Sequence, residues 1–279
     1  PTSPTAAFPA INAYGVSVTA GANNTDGAWS EIFSITNGND TSFDICYLII
    51  GVSGFNVIGG NGQTLLEVQT DSTGTESAYT TLIDSLIVGF TENVSTTIAV
   101  PLWYHFPIWI KSGASIRVRA RTRHTSDLTN GRVFMYAYGE PSRPEMWWCG
   151  TRVETLGIDG SISQGTGVAP ESSAYSFGAW TDIGGPTSFE YGAVELGISG
   201  PNATATQMMY SMQLSASGSR SLRPLMMRNR YVTSGGGGGV WCGIGVNRCV
   251  IPAGTQLSAR VMGSSASGQT LNAAIYGIG

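Results

Sequence analysis

The sequence predicts an all-β chain made of two tandem β-sandwich, jelly-roll-like domains that arose by internal duplication. Three observations lead there. Ser42 to Gly54 returns in order as Ser188 to Gly200, with Gly27-Ala28-Trp29-Ser30-Glu31-Ile32 answered by Gly178-Ala179-Trp180-Thr181-Asp182-Ile183 ahead of it. Behind it, Ile110-Lys111-Ser112-Gly113-Ala114-Ser115-Ile116 is answered by Ile251-Pro252-Ala253-Gly254-Thr255-Gln256-Leu257, and Ala137-Tyr138-Gly139 by Ile275-Tyr276-Gly277. Self-similarity in fixed order is the mark of a repeated structural unit. Second, β-branched and aromatic runs are divided by turn signals such as Asn37-Gly38-Asn39-Asp40 and Gly59-Gly60-Asn61-Gly62. Third, no segment keeps a 3.6-residue period beyond two turns; the best helical candidate, Ala78 to Gly89, reads equally well as a strand. Modules of about 125 residues can each bury a core and suit eight strands in jelly-roll style better than seven.

Taken in order, residues 1–13 read as an extended arm, because three prolines and no periodicity argue against a sheet. Pro1 reads as a chain start after loss of the initiator methionine, with no secretory signal and no apolar run long enough for a membrane span. The first sandwich is 14–139. Within it Pro101 to Ile110 is the densest aromatic stretch, and its two prolines make it an edge strand or a loop. The linker is 140–151, with Pro141 and Pro144 marking the boundary and Met146-Trp147-Trp148 at the joint. The second sandwich is 152–279, and the five glycines from Gly235 to Gly239 read as a mobile hairpin tip.

Charge is sparse and segregated. Asp, Glu, Lys and Arg make up 11% of the chain, less than half of the roughly 25% usual for soluble domains. That surface suits a protein covered by neighbours. Residues 1–110 carry nine acids and no base, 111–152 eight bases and three acids, 153–195 six acids and no base, and 196–279 six arginines and no acid. Each module thus begins acidic and finishes basic. Arg117, Arg119, Arg121 and Arg123 alternate with Val118, Ala120 and Thr122, so on a strand the four guanidinium groups share one face. Two readings are open: pairing with acids of the same module such as Glu67 or Asp71, or docking on the acidic front of another module or subunit. Nucleic acid is a poor partner for a chain of pI near 5.2 with one lysine.

Catalytic groupings are missing from the sequence. His105 and His124 are the only histidines, and neither stands in a ligand or triad motif. No serine sits in a G-x-S-x-G elbow, and the glycine runs lack a phosphate-loop ending. The expectation is a non-enzyme with no metal and no cofactor. Asp26 and Asp40 sit in Asn-rich turns that need no calcium to explain them. Cys46, Cys149, Cys242 and Cys249 read as buried thiols, with a Cys242–Cys249 bridge across a hairpin as the alternative. Trp103, Trp109, Trp147 and Trp148 are candidates for interface packing, and with Tyr104 they are also the groups that could stack on sugar rings.

The Pro/Ala/Thr arm, the low charge, the Gly/Ser/Thr-rich strands and closing segments such as Ile251 to Val261 together resemble virion proteins of tailed bacteriophages built from tandem jelly-roll-like sandwiches. The resemblance covers both halves and is one of style, without a diagnostic motif. It implies a structural protein of the virion, made in the host cytoplasm, of the capsid decoration or cement type. Its partners would be itself, as a trimer or other small homo-oligomer, and a major capsid protein or other virion protein. The alternative is a tail or fibre-associated carbohydrate-binding receptor module.

Overall fold

A computed structural model describes residues 5–8, 15–21, 25–34, 42–53, 56–58, 64–88, 90–92, 102–122, 130–139, 148–158, 165–199, 208–216, 226–232, 240–242, 246–266 and 268–279. The first half carries β1 (Thr5–Phe8), β2 (Val16–Gly21), β3 (Ser30–Phe33), β4 (Tyr47–Ser53), β5 (Asn56–Ile58), β6 (Thr64–Asp71), β7 (Thr80–Ile87), β8 (Phe90–Glu92), β9 (Leu102–Phe106), β10 (Ser115–Thr122) and β11 (Asn130–Tyr138). The second carries β12 (Val153–Leu156), β13 (Thr166–Val168), β14 (Thr181–Asp182), β15 (Tyr191–Ser199), β16 (Met208–Ala216), β17 (Met226–Val232), β18 (Val240–Cys242), β19 (Val246–Ile251), β20 (Leu257–Gly263) and β21 (Leu271–Ile278). No helix among the described residues is long and apolar enough to cross a membrane.

In the first half β1, β11, β4 and β9 lie side by side in one layer, and β3, β10, β6 and β7 in the other. Strand β2 joins the layers along one side, antiparallel to β11 and parallel to β10. With the eight main strands numbered in chain order, the layers run 1-8-3-6 and 2-7-4-5, the double Greek key of a jelly roll. The second half has the same order: β12-β21-β15-β19 in one layer and β14-β20-β16-β17 in the other, with β13 on β21 as β2 is on β11. It adds β18 outside β17. The likeness extends to single bonds. The Gly27 amide donates to the Ala120 carbonyl at 2.9 Å, and the Gly178 amide donates to that of Val261 at 2.9 Å. Gly113 and Gly254 both take a left-handed turn, with φ of 76° and 78°, where a side chain would be strained.

Two expectations change. Thr5–Phe8 is not a free arm but a strand antiparallel to the end of β11, so the prolines confine the strand without preventing it. The closing match of the two halves also slips by two residues. Tyr136 pairs with Ile49 and Tyr276 with Glu195, and Ile49 and Glu195 hold the same place in the Ser42 and Ser188 stretches. Tyr136 is therefore the counterpart of Tyr276. A slip of two keeps every side chain on its face, which is why a sequence match does not detect it.

The period-two pattern builds the cores. Val133, Met135 and Ala137 of β11 and Leu48, Ile50 and Val52 of β4 are buried against Val118, Leu66, Val68 and Ile83. In the second half Val194, Leu196, Ile198, Ala273 and Ile275 bury against Met212, Leu214, Ala259 and Val261. Ala193, Ala274, Tyr276 and Ile278 point the other way and belong to the core of the first sandwich. The β21–β15 pair at the centre of this sheet is thus buried on both faces. That explains its near-continuous apolar reading, since only a one-sided sheet alternates cleanly.

Candidate functional site

The arginine row is engaged inside its own sandwich. On β10, Arg119 meets Glu67 of β6 directly opposite, with Nε at 2.6 Å, and Asp26 at 2.9 Å. Arg117 donates twice to Gln69, at 3.1 and 2.8 Å, and lies between the rings of Trp29 and Tyr79. Arg121 donates to the Ser85 hydroxyl at 2.8 Å and stands 3.8 Å from Asp26. Beside the row Glu31 accepts from Tyr79 at 2.8 Å; burial raises the Glu31 carboxyl against the opposing pull of that bond and of Arg117. These three arginines are thus engaged by groups of the same layer. The acids that answer them are Glu67 and Asp26, not Asp71. Asp71 instead accepts from the Thr73 hydroxyl and from the amides of Thr73, Ser77 and Ala78 in its own turn. In the second sandwich Arg260 has the place of Arg119: it donates to Gln213 at 2.9 Å and lies over Trp180. Arg123, Trp147 and His124 lie outside the described residues.

The joint between sandwiches forms where the first jelly roll is open, between its edge strands β7 and β9. Tyr276 enters there from β21. Its hydroxyl donates to the Ser85 carbonyl at 3.0 Å and accepts from the Ile87 amide at 2.8 Å. Its ring meets those of Tyr104 and Phe106 edge-on, with centroids 6.1 and 6.2 Å apart. The Tyr104 hydroxyl closes the same gap by donating to the Ile87 carbonyl. On the β9 side Glu195, fully buried, accepts from the His105 amide at 3.0 Å. The linker continues the edge: the Cys149 amide donates to Pro107 at 2.7 Å, and the Trp109 amide to Gly150 at 2.9 Å. Side chains of the second sandwich thus satisfy backbone edges of the first that would otherwise stand open.

The face of the first sandwich that corresponds to this docked sheet is different. Phe134, Gly51 and Trp103 stand in register across β11, β4 and β9, and Tyr136, Ile49 and His105 in the next row. The Trp103 ring lies over Gly51, where a Cβ would come within 2.4 Å of it. It sits 6.5 Å from Phe134 and 5.8 Å from Tyr136. Trp103 is 36% exposed, and Phe134, Tyr136, Tyr138 and Ile49 are partly exposed. In the second sandwich the counterparts Ala274, Tyr276, Ile278 and Glu195 are all at 0%. Gly197 answers Gly51 and lies under the Tyr276 ring in the same way. Near the joint the Tyr47 hydroxyl is 3.4 Å from His105 Nδ1. Burial first, then the Glu195 charge, pushes the Tyr47 phenol up to about 12.

Of the predicted aromatics, Trp103 lies on this face, Trp109 is partly buried beside the linker, and Trp148 is 44% exposed at the joint's rim. Phe134, Tyr136 and Tyr276 were not expected, although Arg132-Val133-Phe134-Met135-Tyr136-Ala137-Tyr138 carries the same alternation as the arginine strand. No group of three or more His, Cys, Asp and Glu side chains that could hold a metal occurs among the described residues. Cys46, Cys149 and Cys249 form no disulfide, and the side chain of Cys242 lies outside the described ones. Burial pushes Cys249 up to about 11 and raises Cys149, which keeps both protonated and poorly nucleophilic at neutral pH.

Neither a protein-family model nor a curated protein matches the chain. Among solved structures, 99% of it aligns with 91% of the N-terminal CBM22-1-CBM22-2 tandem domain of Paenibacillus barcinonensis Xyn10C, at 12% identity and a TM-score of 0.27. It aligns over 99% with 96% of PNGase F, a glycosylasparaginase from Flavobacterium meningosepticum, at 11% identity and a TM-score of 0.36. It also aligns over its full length with 97% of a chain of the Macrobrachium rosenbergii nodavirus structure, at 10% identity and a TM-score of 0.25. Likeness at this level fixes neither a ligand nor an activity.

Proposed function

We propose that this chain is a non-enzymatic structural subunit of a virion, of the capsid decoration or cement type, and that its two sandwiches descend from one copied unit. The observation that carries the structural role is the Trp103, Phe134 and Tyr136 face. It is a contiguous aromatic patch on a rigid sheet, in the position where the second sandwich makes its own permanent contact. Such patches mark association surfaces on soluble proteins. The virion setting rests on the resemblance of the sequence, and the partners it implies are further copies of this chain and a shell protein. Arg117, Arg119 and Arg121 are left out of this contact, since groups of their own layer already hold them.

The second reading uses the same rings. Trp103 with Tyr136 and Phe134 is also a stacking platform for a saccharide. Light scattering coupled to size exclusion, run beside a glycan array, separates the two. A structural subunit gives a mass above the monomer that rises with concentration and shows no glycan ligand. A monomer throughout, with a glycan signal that Trp103→Ala abolishes, overturns the structural reading.

A further inference from the structure

The contact inside the chain shows what this kind of sheet face packs on. In the second sandwich the outer side of β21 and β15, with Ala193, Ala274, Tyr276 and Ile278, is at 0% exposure, and what covers it is a jelly roll of the same build. The first sandwich carries the corresponding face on β11, β4 and β9, and there the side chains reach solvent. Trp103 is 36% exposed, and Ile49, Phe134, Tyr136 and Tyr138 are partly exposed. This face cannot repeat the intrachain contact on another copy, because the edges of β7 and β9 that meet Tyr276 and Glu195 are filled in every copy by its own second sandwich.

We infer that the face packs on the same face of a second copy, as a two-fold dimer whose axis crosses the strands beside Ile49, between Tyr136 and His105. This inference rests on the structural reading above and identifies the partner surface. Like meets like across such an axis, which a charged face resists. Tyr47, Ile49, Phe134, Tyr136 and Tyr138 bring no charge to it at neutral pH. Arg132, exposed at the start of β11, is the exception, and an axis across the strands sends its two copies to opposite ends of the contact. Shape agrees with charge. A Cβ on Gly51 would come within 2.4 Å of the Trp103 ring, so glycine at this place lets the indole lie against the sheet and keeps the face level for sheet-on-sheet packing. Trp, Tyr and Phe are also the side chains that interface cores favour, each bringing a large contact area.

The test uses the full chain with Ile49→Glu and Ile49→Arg. Glu195 holds the place of Ile49 in the second sandwich, so the same sheet position accommodates a carboxylate there. Sedimentation of the wild type from about 1 to 100 μM, where interfaces of ordinary strength are populated, should show monomer passing to dimer and nothing larger, since a two-fold contact closes on itself. Each variant alone should remain a monomer, because like charges then stand beside the axis. Mixing the two in equal amounts should restore the dimer, because unlike charges meet. A folded variant that dimerises like the wild type, or a mixture that stays monomeric, overturns the inference, as does a wild type that stays monomeric or forms trimers and longer species. Should either variant fail to fold, hydroxyl-radical footprinting of the wild type decides. Protection of Trp103, Phe134 and Tyr136 that appears with the dimer supports the contact, and rings that stay equally reactive overturn it. Assembly through another surface sinks this inference and leaves the structural role standing, whereas a monomer that binds a glycan through Trp103 ends both.

Discussion

Tyr276→Phe removes one oxygen from the joint and leaves the ring. In the folded chain that oxygen satisfies the Ile87 amide at 2.8 Å and the Ser85 carbonyl at 3.0 Å, both on β7, and Tyr276 itself is at 0% exposure. Water has no route to replace it. Leaving a buried donor or acceptor without its partner costs about 1–3 kcal/mol. Two such groups on one strand, with some relaxation of a free edge, give about 2–4 kcal/mol of lost stability. The loss should fall in the first sandwich, although the substitution is in the second, because both of these bonds of the hydroxyl are made to β7. Hydrogen exchange read by mass spectrometry on the 80–87 segment is the appropriate assay. Protection there should fall by roughly thirty- to a thousand-fold, the same free energy at about 1.4 kcal/mol per factor of ten. The 208–216 segment should change far less. The counterpart Tyr136→Phe, at a partly exposed position open to water, should alter stability by less than about 0.5 kcal/mol. Unchanged protection of β7, or equal loss in β16, would refute the claim that the second sandwich closes the first.

Two further outcomes follow from the same geometry. Gly197→Ala and Gly51→Ala put the same methyl under a ring at corresponding places, but Tyr276 is fully buried in the joint while Trp103 is 36% exposed. Chemical denaturation should show a loss of about 1–3 kcal/mol for the first, whereas the second should shift the Trp103 emission and cost little; equal losses would contradict the difference in burial. Burial alone would raise the Asp71 carboxyl, but the Thr73 hydroxyl and three backbone amides together hold it well below the usual carboxylate range. Its contribution is therefore full above the unfolded value near pH 4 and is lost as the pH falls below that. The stability gap between wild type and Asp71→Asn should accordingly be larger at pH 6 than at pH 3, and a gap independent of pH would show that the charge of Asp71 is not what orders its turn.

The sequence by itself determined the class of fold, the recurring strand order and most of the core. These depend on local signals: side chains alternate along a strand, turn residues interrupt it, and Ser42 to Gly54 answers Ser188 to Gly200 wherever the two lie in space. It also placed Arg117, Arg119 and Arg121 on one face of β10, and the stretch of β9, between Pro101 and Pro107, at an edge, and both positions hold. What met those arginines was decided by register, because Glu67 and Asp26 reach Arg119 only once β6 and the turn before β3 lie beside it. Tertiary structure alone also separated Tyr136 from Tyr276. Each is a tyrosine on the outward side of the last strand of its half, and no property of the neighbouring residues says which is buried in the other sandwich and which is left open. That difference comes from contacts between residues nearly two hundred positions apart, such as Tyr276 with Ser85. Burial of this kind is a property of the joint, so it exists only after both sandwiches have formed.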